Sequence, residues 1–448
     1  MLIGFKVKNF RSFNELQHFS MVAGEHSNFL EHITSINNVN ILKFSAIYGA
    51  NASGKSNLVL AIDLGKQLLL NNINNLISNQ YFRINKNNKN EPSYFEYEIE
   101  KDNKFYSYGF EINIDKKEIV SEWLIDMTNK PIVIFERDAI LKTFKTDLKF
   151  KNEYDFNRFD VCKNDILNNN KIFFLTEMNR RIQMNDMKND SFIDFINVFD
   201  FFTIDLQLVL PNKKRDIKYN YFSQYKNDIK PLLKMLGLDI TDLIEFNTDI
   251  TELKEKLSPS DYDKLIRDIN NLKSKVSKFD ITLRIENSIY TINGENDKLS
   301  VHVIKVLHNN NVYFDTYEES DGTLRILELI DILLSDNKIF IIDEIDRSLH
   351  PSLTTRFIKC FLNIIKMKNI QLIITTHESR LLSYNTLRRD EVWFSEKGKD
   401  GDTLLYSLEQ FKDDGMFDRQ IDKAYLDGRF GAVPIFIDFP VVDNESTN

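Results

Sequence analysis

The 448-residue sequence holds only two cysteines, Cys162 and Cys360, far apart and without the paired spacing of a zinc site. That excludes a disulfide framework and suits a reducing compartment. Long apolar runs are missing as well; none approaches the ~20 residues that a bilayer-spanning helix requires. The first residues, MLIGFKVKNFRSF, mix charge with apolar side chains from the start, unlike a secretory leader. A cytoplasmic protein that does not enter a membrane is the expectation. Basic charge is also in deficit: Lys+Arg number 58 against 67 Asp+Glu, a net charge of −9. A chain built to ride the DNA backbone usually carries a basic domain. Two small clusters, Lys213, Lys214, Arg215 and Lys218, and Arg388 with Arg389, read as solvated surface. Glycine is scarce at 14 residues, so a glycine-rich motif carries weight where it occurs.

What is present is core material, with 42% hydrophobic residues, 35 Phe and 17 Tyr. This suits two or three domains, or one α/β domain with a large insertion. Residues 2–8 and the apolar 44–48 read as strands, and 56–70 as a helix. Asn-rich 71–90 reads as a loop. Phe95, Tyr97 and Ile99, then Tyr106, Tyr108, Phe110, Ile112 and Ile114, alternate with polar residues around a turn at 101–104. This predicts an antiparallel hairpin with one dry face, extended by a run at 119–125. Residues 126–280 read as mainly helical, and Pro259 divides the pattern at 253–279 into two helices. Strands return at 281–285, 288–292, 301–307 and 312–316, and helices then alternate with short buried strands. The predicted division is 1–125, a mainly helical insertion at 126–280, and 281–448.

Four constellations carry chemistry. Gly49, Ala50, Asn51, Ala52, Ser53, Gly54, Lys55 and Ser56 match G-x-x-x-x-G-K-[ST] between a predicted strand and a predicted helix. Such a loop curls so that backbone N–H groups face phosphate oxygens, and the helix start adds its positive dipole end. Lys55 is the candidate charge on the phosphates, Ser56 a candidate Mg²⁺ ligand, and Asn57 a further nucleotide-contacting residue. The second is an apolar run, 338–342, ending in Asp343 and Glu344. Asp343 is the candidate second Mg²⁺ ligand and Glu344 the candidate general base. The third is QLIITTH at 371–377, whose His377 lies 34 residues beyond Asp343 (377 − 343). His377 and Lys55 join Glu344 as candidate catalytic residues. Ser320 and Gly322 open a further predicted helix at 324–334, 21 residues before Asp343 (343 − 322). A hydroxyl and a glycine N–H at a helix start form an anion site.

The set resembles ABC-type ATPases of the SMC, RecF and OLD group, in the Asn51 position of the loop and in KNFRSF at 8–13. Within that group it is most similar to AAA-family ATPases of bacterial abortive-infection systems. That likeness rests on ESDGT at 319–323, DEIDRSLHP at 343–351, QLIITTH at 371–377, RRDEVWF at 388–394 and YLDGRFGAVP at 425–434. The resemblance implies an α/β fold, an ABC-type P-loop NTPase with an antiparallel β subdomain and a large helical insertion; here Lys55 and Asp343 are 288 residues apart (343 − 55). It implies ATP and Mg²⁺ as cofactors, and pairing of two copies, or a larger homo-oligomer, in which Ser320 and Gly322 of one copy reach the γ-phosphate held by the other. Residues 345–351 would then face the partner copy. It also implies a separately encoded effector such as a Toprim- or HNH-type nuclease. OLD nucleases carry a Toprim domain after the ATPase, and the 71 residues after His377 (448 − 377) are too few for one. Gln80 is the candidate Mg²⁺-sensing glutamine. The competing readings are a RecF- or SMC-like repair ATPase that binds DNA directly, and a binding scaffold with degenerate motifs.

Overall fold

A computed structural model describes residues 1–25, 28–71, 73–184, 190–211, 226–273, 278–285, 287–295, 298–382, 386–411 and 421–433. The basic cluster at 213–218 and Pro434 of the tail motif lie outside the described residues. The chain divides into two compact units, 1–203 with 375–448, and 204–374.

The first unit opens with β1 (Leu2–Lys8), β2 (Gln17–Ser20), a hairpin of β3 (Ile33–Ile36) and β4 (Val39–Leu42), the fully buried β5 (Phe44–Tyr48), and α1 (Lys55–Leu70). The strands β6 (Ser93–Lys101), β7 (Lys104–Asn113), β8 (Glu118–Asp126), β9 (Ile132–Asp138) and β10 (Thr143–Lys145) follow, then helices α2 (Glu153–Leu167), α3 (Phe174–Met184) and α4 (Ile193–Asp200). A seven-stranded antiparallel sheet runs β10-β9-β8-β7-β6-β1-β2. The predicted hairpin is its centre, with Phe95 opposite Phe110 and Tyr97 opposite Tyr108. β7, fourth of the seven, is buried along nearly its whole length, so the single dry face expected from alternation is two. Phenylalanine supplies much of this core through edge-on contacts such as Phe110–Phe173 at 5.0 Å and Phe135–Phe174 at 4.8 Å. Each such pair is worth about 0.5–1.5 kcal/mol beyond its buried area.

The second unit holds β11 (Leu206–Val209), α5 (Lys226–Leu236), β12 (Ile240–Thr248), α6 (Ile250–Lys256), α7 (Pro259–Lys273), β13 (Lys278–Ile285), β14 (Ser288–Glu295), β15 (Lys298–His308) and β16 (Tyr313–Asp315). It continues with α8 (Asp321–Leu334), β17 (Lys338–Ile342), α9 (Pro351–Ile364) and β18 (Ile370–Thr375). β11, β17 and β18 pair in parallel. An antiparallel sheet runs β12-β15-β14-β13, with β16 on β15. Leu253, Leu265 and Ile269 of α6 and α7 pack on Ile281, Tyr290 and Ile292 of this sheet. The chain then returns to the first unit with β19 (Val392–Lys397), β20 (Thr403–Ser407) and α10 (Ile421–Leu426); β19 runs parallel to β5.

The break at Pro259 is where two helices meet, because proline fits the first turn of a helix and not its middle. The remainder of 126–280 is less helical than its sequence predicts, since β9, β10, β11 and β12 lie in it. β12 shows why. A bulge between Ile240 and Asp242 breaks its alternation, leaving Ile240 and Leu243 as its buried positions, the three-residue spacing of a helix face. Its partner β15 lies some sixty residues away, out of reach of a local reading.

Candidate functional site

In the first unit the phosphate-loop motif joins β5 to α1. Ala52 (φ 63°) and Gly54 (φ 112°) adopt left-handed backbone, the geometry that turns successive N–H groups inward. Gly54 has no room for a side chain: a Cβ would collide with the Thr403 hydroxyl. At Gly49 it would collide with the Ser395 carbonyl. Asn51 and Ala52 form the exposed tip, whereas Ser53, Gly54 and Lys55 are buried. The Lys55 ammonium reaches back across the loop to the carbonyls of Gly49 (2.7 Å) and Ala50 (3.0 Å).

The loop is tied down by residues remote in sequence. Asn57 Nδ2 donates to Ser12 Oγ at 2.7 Å, and Ser12 Oγ lies 2.7 Å from Thr403 Oγ1. Thr403 Oγ1 donates to the Ser53 carbonyl at 2.8 Å, and Ser395 Oγ donates to the same carbonyl at 3.1 Å. Beneath Gly49 sits Tyr425, its ring 5.6 Å edge-on to Tyr48 and 5.7 Å stacked on Phe394. Burial pushes the Tyr425 phenol up, opposed in part by a hydrogen bond from the Gly49 backbone. His377 is placed by its neighbour, because the Thr376 N–H donates to the Ile47 carbonyl of β5 at 3.1 Å. The His377 side chain is exposed, two residues beyond the end of β18.

This half-site fits a polyphosphate. Among the described residues no side chain caps the first turn of α1, and that turn holds no acidic residue. Its N–H groups are therefore the orphan donors that an anion satisfies. The Ser53 hydroxyl is buried with no hydrogen-bond partner among the described residues. The Gly49 and Ala50 carbonyls that Lys55 contacts are neutral, and a phosphate oxygen is a stronger acceptor for an ammonium than either. No group of three or more His, Cys, Asp or Glu gathers to hold a metal among the described residues. Ser56 in the first unit and Asp343 in the second each offer an oxygen donor, the ligand type that Mg²⁺ takes.

In the second unit, Ser320 caps α8: its Oγ accepts from the Thr323 N–H at 3.1 Å and lies 2.9 Å from Thr323 Oγ1. Ser320 is exposed, and Gly322 lies within the first turn. β17 ends at Ile342, and Asp343, only 3% exposed, donates its N–H to the Val209 carbonyl at 2.9 Å. Glu344 takes a left-handed backbone (φ 51°), which costs a non-glycine residue about 1–2 kcal/mol. Its carbonyl accepts from Arg347 N–H (3.1 Å) and from Arg325 Nη2 of α8 (3.4 Å). The strained turn and the start of α8 are thus tied within one unit. Strain of this kind gathers at functional sites.

The family model described as "AAA domain, putative AbiEii toxin, Type IV TA system" matches residues 44–130 and 137–383. The chain belongs to this AAA family. No curated protein matches it. Among solved structures it is similar to an SMC head bound to the C-winged helix domain of ScpA, with 14% identity over 91% of this chain and 97% of that one and a TM-score of 0.43. It is similar to the SMC head domain from Thermotoga maritima (11% identity, 91% and 98% covered, TM-score 0.35). It is also similar to an Smc head domain with an extended coiled coil, bound to the C-terminal domain of ScpA derived from Pyrococcus furiosus (14%, 92% and 97%, TM-score 0.37).

The AAA domain has site-supporting residues that the motifs do not name. Ser395 and Thr403 carry no signal of their own, being ordinary residues that meet the loop only in the fold, whereas Tyr425 opens YLDGRFGAVP. Ser12 does lie in KNFRSF, and that motif has a visible task. Asn9 Nδ2 donates to the carbonyls of Asn88 (2.9 Å) and Glu91 (3.0 Å), while its Oδ1 accepts from Phe82 N–H at 3.1 Å. The Asn-rich loop is pinned this way, and Gln80 with it, its carbonyl accepting from Arg11 N–H at 2.6 Å. RRDEVWF also gains a reading, one that corrects an expectation. Arg388 is not solvated surface; it is 1% exposed, paired through two nitrogens with Asp390 and bonded to the carbonyls of Gly24 and Asn28. No long apolar helix able to cross a membrane exists among the described residues.

Proposed function

We propose that this AAA domain binds and hydrolyses ATP with Mg²⁺, in pairs or larger homo-oligomers, as the nucleotide-gated regulator of an abortive-infection system. The destructive step belongs to a separately encoded effector, a Toprim- or HNH-type nuclease. The uncapped, acid-free start of α1 beneath a left-handed loop carries the nucleotide part of this reading. The family description, with its toxin–antitoxin name, supports the defence part.

Each residue has a task. Lys55 and the N–H groups of residues 49–57 bind the phosphates. Ser56 and Asp343 hold Mg²⁺, which when bound neutralises charge that develops on the β- and γ-phosphate oxygens. Glu344 takes the proton of the attacking water, and His377 orients that water or donates to the γ-phosphate. Ser320 and Gly322 of a second copy bind the same phosphate, so that ATP favours the paired state.

The test is purification from the native host with and without ATP, with ATP turnover assayed on the product. ATP-dependent recovery of one effector together with Mg²⁺-dependent turnover supports the proposal. Recovery with DNA alone, in a complex that weakens steeply as salt rises, supports the repair reading instead.

A further inference from the structure

The segment 421–433 carries most of the YLDGRFGAVP motif, to which the nucleotide chemistry assigns no task. Tyr425 of α10 is 5% exposed, with its ring edge-on to Tyr48 and stacked on Phe394. Tyr48 and Phe394 stand opposite each other on β5 and β19, so ring packing alone would seat a phenylalanine here. A buried phenol oxygen costs free energy unless it is bonded. This one is bonded on both sides. It accepts the Gly49 N–H and donates to the Ala432 carbonyl at 3.4 Å. One hydroxyl thus joins the first residue of the phosphate loop to the chain that follows α10.

That following chain is itself held. It turns through the left-handed Gly428 (φ 76°), Gly431 (φ 66°) and Ala432 (φ 57°). The Arg429 N–H donates to the Ala424 carbonyl and the Gly431 N–H to the Gly428 carbonyl, each at 3.0 Å. Phe430 stacks on Phe394 at 5.6 Å, and the Tyr406 hydroxyl donates to the Phe430 carbonyl at 2.6 Å. At Gly431 a Cβ would stand 2.7 Å from a Glu396 carboxylate oxygen, so the approach there is as close as glycine permits.

α10 has a second neighbour. It packs against the single helical turn Ser379–Leu381, which begins two residues after His377. Leu381 of that turn is buried, as are Ile421 and Ala424 of α10. The Glu378 N–H donates to Thr376 Oγ1 at 3.0 Å, and Glu378 Oε1 accepts from the Arg380 N–H at 3.0 Å. His377 therefore sits between two fixed points, β5 before it and α10 after it. The same short helix touches both edges of the half-site.

We propose that residues 421–433 are a strap that couples the phosphate loop to His377, with the Tyr425 hydroxyl as its positioning group. The oxygen sets Gly49 on one side, and through α10 the same residue sets the turn behind His377 on the other. A nucleotide that steadies the loop steadies the strap as well, and the histidine is brought to the phosphate with it. The inference rests on the nucleotide part of the proposed function and is independent of the defence part.

Hydrogen exchange and kinetics on the full chain test it, with Tyr425→Phe and Tyr406→Phe. The first keeps the ring packing and removes the oxygen. The second frees the Phe430 carbonyl without touching the loop. In nucleotide-free protein the Gly49 amide should exchange faster in Tyr425→Phe than in the parent chain. A non-hydrolysable ATP analogue with Mg²⁺ should slow exchange across 425–433 about threefold or more in the parent, and not in saturated Tyr425→Phe. Turnover at saturating ATP should fall about tenfold in Tyr425→Phe, while the dissociation constant rises by about threefold at most. Tyr406→Phe should lower turnover in the same sense with ATP affinity unchanged. A Tyr425→Phe chain that loses affinity but keeps its turnover would overturn the proposal, since the tyrosine would then only shape the loop. A strap whose exchange ignores the analogue, in a parent chain that binds it, would overturn it too. A parent chain that binds no nucleotide would overturn the proposed function, and the coupling with it.

Discussion

The two half-sites are built in different ways. The phosphate loop of the first unit is bound from three distant stretches of chain: Ser12, Ser395 with Thr403, and Tyr425. The Ser320–Gly322 element of the second unit is bound by its own helix cap, with Ser320 exposed. A loop that must hold its donors still for a polyphosphate is preorganised by cross-ties that need no ligand. An element that serves another subunit's phosphate, as the proposed function has it, gains by being presented at a surface. The difference separates a receptor from a reach.

Substitutions break this comparison in order of size. Glu344→Gln should lower ATP turnover by about 10²–10⁴ while leaving nucleotide binding in place; steady-state phosphate release with parallel titration calorimetry reads both. Lys55→Ala acts on the receptor itself, and the dissociation constant for ATP should rise by about 10²–10³, the effect of losing one preorganised charge partner. Ser320→Arg acts on the reach. The affinity of dilute protein for nucleotide should stay as it is, while turnover falls about tenfold and no longer climbs with protein concentration. A loss of affinity in dilute Ser320→Arg would instead place this serine in the receptor. Thr403→Val removes one tie but leaves Ser395 on the Ser53 carbonyl, so about 1 kcal/mol, or some fivefold in ATP affinity, is expected.

The cysteines sharpen the comparison without a mutation, because each unit has one. Burial pushes the Cys162 thiol up to about 12, and raises Cys360 as well. At pH 8 almost no thiolate exists at Cys162, so labelling there waits for local opening. Cys360, slightly more exposed at 5% against 0%, should be alkylated first, and ATP should slow both. Mass spectrometry after timed iodoacetamide exposure reports the order.

Much of this was legible locally. β5, β17 and β18 are short apolar runs ending at chemical residues, and the α1 motif is contiguous, so periodicity and spacing are enough to find them. β12 was not, because a bulge gives it helical spacing and its partner strand is remote. The loop's supports were invisible for a related reason. Thr403 and Ser395 act through one hydroxyl each, placed by tertiary packing, and nothing in their neighbours announces it. Arg388 shows the reverse error: two adjacent arginines look like surface until Asp390, two residues on, is seen to bury one of them.

The bond from Thr403 to the Ser53 carbonyl spans 350 residues of sequence. On a ribosome adding about 5–20 residues per second, roughly 20–70 s separate the making of the loop from the arrival of its tie. A nascent chain therefore carries the nucleotide motif long before it can hold it in shape. The loop's shape, and with it the proposed response to ATP, is completed late in synthesis.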